Sequence, residues 1–183
     1  MLKIRKELQN YRTGGIIKGH ETTVEIVMTD TELSFEFFCK NSKFFSADDK
    51  YNGPLFDGDV CEAFICTGTE ITKYFEIEVA PNNCQFVYRV KNLGLGEFEL
   101  DPVSEEENFL TSEVEKLGDD YRLKFSMPLD KIGYDEKIGI RFNAFRIETE
   151  GGHTDLHLMA LNPMMKPSFH CVDGFVKLDE NLK

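Results

Sequence analysis

The sequence has no tryptophan in its 183 residues. Any aromatic surface it offers a ligand is therefore built from phenylalanine, tyrosine or histidine, with no indole N–H to donate. It also lacks any stretch near the roughly 20 apolar residues that a membrane-spanning helix requires. The opening "MLKIRKELQNYRTGG" scatters charges where a secretory leader would carry an apolar run. This pattern sets the expectation of a cytoplasmic protein. Paired cysteines are missing too. Cys39, Cys61, Cys66, Cys84 and Cys171 are odd in number and form no CxxC. They predict free, mostly buried thiols rather than a disulfide framework, and no zinc spacing surrounds Cys61 and Cys66. Positive charge is scarce, with 21 Lys and Arg against 33 Asp and Glu, a formal net charge of −12. Such a surface repels phosphate backbones and anionic lipid, which excludes nucleic acid and membranes as expected partners. No P-loop, GxGxxG or nucleophile elbow is found. "LGLGEFEL" has two glycines but no third, and reads as a turn.

What is present is the composition of a globular chain, 41% hydrophobic and 30% charged, large enough for one core. Period-two patterns dominate. "TTVEIVMTD" and "LSFEFFCK" form a hairpin around a "TDTE" turn. "DVCEAFIC", then "KYFEIEVAP" ending at Pro81, then "CQFVYRVKN" follow as strands. "EVEKLGDDYRLKFSMP" reads as strand, turn, strand, and "KIGIRFNAFRIE", "LHLMAL" and "GFVKLD" complete the set. Helical signals are few: one turn at "PLDKIG", where Pro128 suits a first helical position, and a short helix capped by Ser104 in the acidic run "DPVSEEENFLTSE". No Pro/Gly/Ser-rich linker and no internal repeat divides the chain. The expectation is an all-β, antiparallel β-sandwich with few or no short helices. Residues 1–18 form a lead-in, and residues 19–183 form a single domain.

Alternate side chains of a strand share a face. In "DVCEAFIC", Val60, Glu62 and Phe64 lie on one side, and Asp59, Cys61, Ala63 and Ile65 on the other. In "KYFEIEVAP", Phe75, Ile77 and Val79 oppose Tyr74, Glu76 and Glu78. In "IRFNAFRIE", Arg141, Asn143, Phe145 and Ile147 alternate with Phe142, Ala144, Arg146 and Glu148. Two readings of the mixed polar and aromatic face stand open. It is either an ordinary solvated face with weak cross-strand ion pairs, or a shallow groove whose carboxylates and Arg bind vicinal hydroxyls while aromatic rings cover a sugar's C–H face.

"GPLFDGDVCEAFI", "KYFEIEVAPNN", "IGIRFNAFRIE" and "LHLMALNPMMKPSFHCVDGFVKL" occur in that order. The set resembles the carbohydrate-binding modules of family 9, in their stand-alone form related to the DOMON-like sandwiches, over roughly residues 19–178. The resemblance implies a jelly-roll-like sandwich that binds sugars of the xylan or cellulose class without catalysis, linked to carbohydrate breakdown. In xylanase-attached members two tryptophans clamp the end of a glycan, and Phe56 and Phe169 stand at those positions here. Glu62 matches a sugar-binding glutamate and Asn143 the asparagine of the Phe–Asn strand. Glu78 falls where those members carry arginine. Arg146 and His170, the latter at the rim beside Phe169, complete the candidate set. The resemblance implies no required cofactor other than structural calcium, for which Asp48, Asp49, Asp57 and Asp59 are candidates.

The remaining signals are weaker. His153 and His157 stand four apart, a metal pair on a helix, but this stretch reads as loop into strand. The DOMON relationship admits haem held by Met159, Met164 or Met165 with His157 or His170. Two other functions stay open: an interaction or structural module that has lost the sugar site, and a glycoside hydrolase using Glu62 and Glu78.

Overall fold

The structure is a computed structural model, and it describes residues 1–151 and 156–178. Its strands are β1 (Leu2–Glu7), β2 (Gln9–Asn10), β3 (Thr22–Met28), β4 (Glu32–Cys39), β5 (Val60–Cys66), β6 (Lys73–Val79), β7 (Gln85–Gly94), β8 (Glu97–Pro102), β9 (Thr111–Leu117), β10 (Asp120–Pro128), β11 (Arg141–Glu148), β12 (His157–Ala160) and β13 (Val176–Lys177). One sheet runs β1-β3-β4-β10-β9. The other runs β2-β12-β11-β5-β6-β7-β8, with β13 also paired to β11. Every pairing is antiparallel. The two sheets form the expected β-sandwich. Helix among the described residues is limited to three single 3-10 turns, Leu55–Asp57, Glu105–Glu107 and Val172–Gly174. Ser104 caps the second of these, its side chain accepting from the Glu107 N–H. "PLDKIG" forms turns rather than helix.

The first sheet obeys simple alternation. Val24 and Ile26 of β3, and Leu33, Phe35, Phe37 and Cys39 of β4, point inward, while Glu25 and Glu36 point out. Val24 sits opposite Phe37 and Ile26 opposite Phe35, so branched and aromatic side chains meet across the ladder. Phe35 stacks on Phe125 of β10 at 5.4 Å between ring centroids. From the second sheet, Cys61, Ala63, Ile65, Ile77, Val79, Phe142 and Ala144 close the shared core. The small residues of β5 face the large rings of β4 and β10, which is how the two layers interdigitate.

The second sheet departs from that pattern. Every residue of β5 is buried, as are nearly all of β11 and the second half of β6. Their outer face is covered by two further apolar clusters. One gathers Tyr11, Phe64, Tyr74, Phe145 and Phe175, and the other gathers Leu55, Val60, Ala80, Phe86 and Ile147. Loops therefore form a third layer over the middle of this sheet. The solvated outer face, one of the two open readings, is not what these strands present.

The first eighteen residues, expected as a lead-in, are woven into the sandwich. β1 pairs with β3 along its whole length, and β2 pairs with β12. Leu8 and Tyr11 are buried.

Arg146, expected among the sugar-binding groups, faces inward. It shares the side of β11 that carries Phe142 and Ala144, and it is fully buried between the sheets. Its Nη1 donates to Thr22 Oγ1 at 2.8 Å and to the Lys40 carbonyl at 3.3 Å, and its Nη2 binds the buried Glu148 carboxylate. The guanidinium lies over the Tyr121 ring at 5.4 Å. Period two is the reason: the residue before Ile147 cannot share its face. Arg146 thus ties the second sheet to β3 and β4 instead of binding a ligand. Arg146→Ala leaves Glu148 buried without its partner, and we expect a loss of about 3–5 kcal/mol in urea unfolding. The Arg146→Met/Glu148→Leu double variant should recover most of it, and equal losses in the two variants would refute this account.

Candidate functional site

The chain enters β5 through "FDGD" (residues 56–59), and each position has a separate task. Asp59 is wholly buried. Its Oδ1 accepts from Thr149 N–H at 2.8 Å and Thr149 Oγ1 at 2.6 Å. Its Oδ2 accepts from Ser42 Oγ at 3.1 Å and Phe45 N–H at 3.0 Å. With both oxygens so committed, Asp59 joins three segments and is not a calcium ligand. Gly58 lies where a Cβ would come within 2.6 Å of Ala47 N and 2.8 Å of Phe45 O, so no other residue allows the 45–47 segment this close. Together these contacts fix the 3-10 turn that lifts Phe56 to the surface, 47% exposed, edge-on to Phe86 of β7 at 6.2 Å.

Phe169 comes from the segment between β12 and β13. It stacks on Phe145 of β11 at 4.3 Å and 17°, and meets the Tyr11 ring edge-on at 4.8 Å. Tyr11 Oη in turn donates to the Ser168 carbonyl at 2.5 Å. One ring is thus anchored over β7 and the other over β11, on either side of β5 and β6. Between them lies an open groove of about 340 Å³. Phe64, Phe86, Phe98 and Leu100 supply much of its apolar lining, and Glu62, Glu76, Glu78 and His170 its polar groups.

The three glutamates follow from register. Glu62 of β5 lies directly opposite Glu78 of β6, and Glu76 lies two residues along on the same face. All three are buried. One oxygen of each lies within 4.8 Å of the others. No side-chain donor reaches Glu62 Oε1 or either oxygen of Glu78, and the Phe56 backbone N–H is the one group that favours the Glu78 carboxylate. Burial holds Glu62 and Glu78 well above the usual carboxylate range, with repulsion from Glu76 adding to it at Glu62 and from Glu62 and Glu76 at Glu78. Burial pushes Glu76 up to about 7. No lysine or arginine lines the groove among the described residues. The one basic group is His170, which burial pushes down to about 4 and so leaves neutral at physiological pH. Its Nδ1 is 2.7 Å from Tyr74 Oη, and its Nε2 is 3.8 Å from Glu76 Oε1. The ring lies against Phe64 and Phe98, at 5.0 and 4.3 Å between centroids.

Of the sequence-derived candidates, Phe56, Glu62, Glu78, Phe169 and His170 converge on this groove. Asn143 does not. Its Nδ2 donates to the Asn162 carbonyl at 2.9 Å and its Oδ1 accepts from the Asn162 N–H at 3.1 Å. Both ends of that amide hold the segment after β12 in place. Among the described residues, three or more ligating side chains meet in two places only, the glutamate trio and His20–Glu150–His157. Asp48, Asp49 and Asp57 join neither, and Asp48 Oδ1 instead accepts from the Lys50 N–H at 2.7 Å. His153 lies outside the described residues. Met159 is buried in the inter-sheet core, away from His170 and the groove. Glu76 and Tyr74 were missed as site residues. Their place on the Glu78 side of β6 was legible from alternation, whereas Tyr74's contact with a residue 96 positions away was not.

Because the trio's affinity for protons is raised by folding, its contribution to stability is fully present below the ordinary carboxylate value of about 4.3 and is lost as pH rises through the folded values. In chelator-treated protein, Glu78→Gln should therefore be more stable than wild type at pH 8, by ~1–3 kcal/mol. Thermal melts should show a gap of several degrees that closes towards pH 5. Parallel curves for the two proteins across this range would contradict it.

No family model matches the chain. A curated relative of Arthroderma benhamiae, named "Extracellular protein", is 31% identical over 173 residues, covering 86% of this chain and 78% of its own. That name overturns the expected cytoplasmic location. Among solved structures, a candidate carbohydrate-binding protein from Bacteroides uniformis superimposes with a TM-score of 0.73 at 15% identity, over 94% of this chain and 84% of that one. A family 9 carbohydrate-binding module from Caldicellulosiruptor kristjanssonii, in complex with cellotriose, gives 0.56 at 12% identity over 86% and 71%. The glucose complex of a family 9 module from the same organism gives 0.53 at 13% over 84% and 72%.

Proposed function

Because the chain belongs to the family of the Arthroderma benhamiae extracellular protein and folds like the family 9 carbohydrate-binding modules, we propose that it binds the end of an oligosaccharide outside the cell, without catalysis. The site is the groove between Phe56 and Phe169. The observation that carries this reading is the set of buried acceptors without side-chain donors, Glu62 Oε1 and both oxygens of Glu78, on the floor of an aromatic-lined groove. A sugar supplies what that floor lacks. Its hydroxyls are donors, and its C–H faces pack on phenylalanine rings. The finer ligand class we propose is a chain end of the cellulose or xylan kind, built of glucose or xylose, in the context of carbohydrate breakdown.

Hydrolysis fits the same groove less well. It needs two carboxyl groups on opposite sides of the scissile bond. Glu62, Glu76 and Glu78 stand side by side on one floor, on two adjacent strands.

Calorimetry with glucose, cellotriose and xylotriose tests the proposal. At least one should bind, and Phe56→Ala should weaken it by about 1–3 kcal/mol while leaving the melting temperature nearly unchanged. Absence of heat with all three, in folded protein at millimolar sugar, would sink the reading.

A further inference from the structure

We propose that the floor of this groove is a divalent-cation site, formed by Glu62, Glu76, Glu78 and Nε2 of His170, and that the cation presents its open coordination positions to the sugar. The second clause rests on the carbohydrate reading above; the first stands on geometry alone.

Three carboxylates from β5 and β6 place ligand oxygens within 4.8 Å of one another, a span that a small inward adjustment of the side chains brings onto a single ion. Glu62 and Glu78 are about 98–99% buried, and three of their four oxygens meet no side-chain donor, Glu62 Oε1 being wholly without a partner. Buried polar atoms in folded proteins are nearly always satisfied, so this orphaned set points to a missing partner. No arginine or lysine lines the cavity among the described residues, so the chain supplies no cationic side chain to this set. Sugar hydroxyls bring hydrogen bonds to the floor, whereas a cation would draw the three carboxyl groups, on giving up their protons, onto one centre.

His170 stands beside the set, outside the group whose ligand atoms all lie within 4.8 Å of one another, and a turn of its ring would bring Nε2 onto the shared ion. Tyr74 Oη holds Nδ1 at 2.7 Å, leaving Nε2 as the ring atom turned towards Glu76 Oε1 at 3.8 Å. Metal-binding histidines are commonly held in this way, by an outer partner on the second nitrogen. With metal–ligand distances of about 2.0–2.2 Å, two ligands on one ion can stand up to ~4.3 Å apart, so 3.8 Å needs little adjustment. One nitrogen with carboxylate oxygens suits zinc or manganese better than calcium, which prefers oxygen throughout. The site is separate from the aspartates considered for structural calcium. Its free side opens into the 340 Å³ groove between Phe56 and Phe169, where a vicinal diol would complete the coordination shell.

The test uses full-length protein stripped with chelator, then titrated with zinc, manganese or calcium chloride while binding heat and melting temperature are followed. One ion per chain should bind and raise the melting temperature. Tyr74→Phe should weaken binding by about 10–100-fold, and Glu62→Gln/Glu78→Gln by more than that. Circular dichroism checks that the variants fold. His157→Gln, in the other histidine-containing cluster, should leave the site intact. No binding by any of the three ions at about 1 mM, a Kd equivalent to ~4 kcal/mol, overturns the proposal. So does binding that survives the double glutamine variant. Cellotriose titrated with and without metal separates the two readings. Equal sugar affinity in stripped protein overturns the cation's part in recognition and leaves the carbohydrate reading standing. Metal binding with no sugar binding overturns the carbohydrate reading, and the cation's part in recognition with it, and leaves the cation site standing.

Discussion

Everything distinctive in this molecule depends on β5 and β6 lacking a solvent face. In an ordinary sandwich the outer side of each sheet is wet, and a glutamate there carries its charge at little cost. Here the 3-10 turn bearing Phe56, the Phe169 segment and the edge strand β8 surround the middle of the second sheet. Glutamates at solvated positions of the pleat thereby become groups in an apolar groove. Their raised proton affinity, the neutrality of His170 and the shape of the cavity all follow from that covering layer.

The two faces of these strands treat polar groups in opposite ways. On the inner face, Asp59 accepts four hydrogen bonds, and Arg146 reaches Thr22, Lys40 and Glu148. These groups are as deeply buried as the glutamates, yet they serve to join β3, β4, β5 and β11. On the outer face, equally buried oxygens have no side-chain donor. Burial alone does not separate a structural charge from a functional one. What the side chain reaches does: Arg146, one nitrogen of which is itself unpartnered, and Asn143 bind groups of the scaffold, whereas Glu62 and Glu78 face the groove.

Much of this was legible in the sequence because period two is a rigid rule. The alternation of "VCEAFIC" and "KYFEIEV" placed Glu62, Glu78 and Glu76, the last not chosen as a site residue, on one side, as found. The same rule set Arg146 beside Phe142 and Ala144; its assignment to the site followed the mixed character of the strand and not its parity. β1 and β8 were harder to read. β1 buries only Ile4 among its charged neighbours, and β8 is an acidic edge strand with little buried surface, so neither shows an apolar face. The contact of His170 with Tyr74 depends on how a long segment crosses the sheet, and no local pattern encodes it. The location was misread because charge near the first residues was taken as evidence of compartment.

Tyr11 joins the beginning of the chain to the far wall of the groove. Its hydroxyl binds Ser168, its ring supports Phe169, and its carbonyl accepts from the Met165 N–H at 3.0 Å. The segment that carries it also contributes β1 to one sheet and β2 to the other. Anyone trimming this domain for fusion to an enzyme or a fluorescent reporter thus has less freedom at the front than alignment of the groove-forming strands suggests. A junction placed after residue 18 would separate the binding wall from its brace, whereas a tether attached ahead of Leu2 leaves that brace untouched.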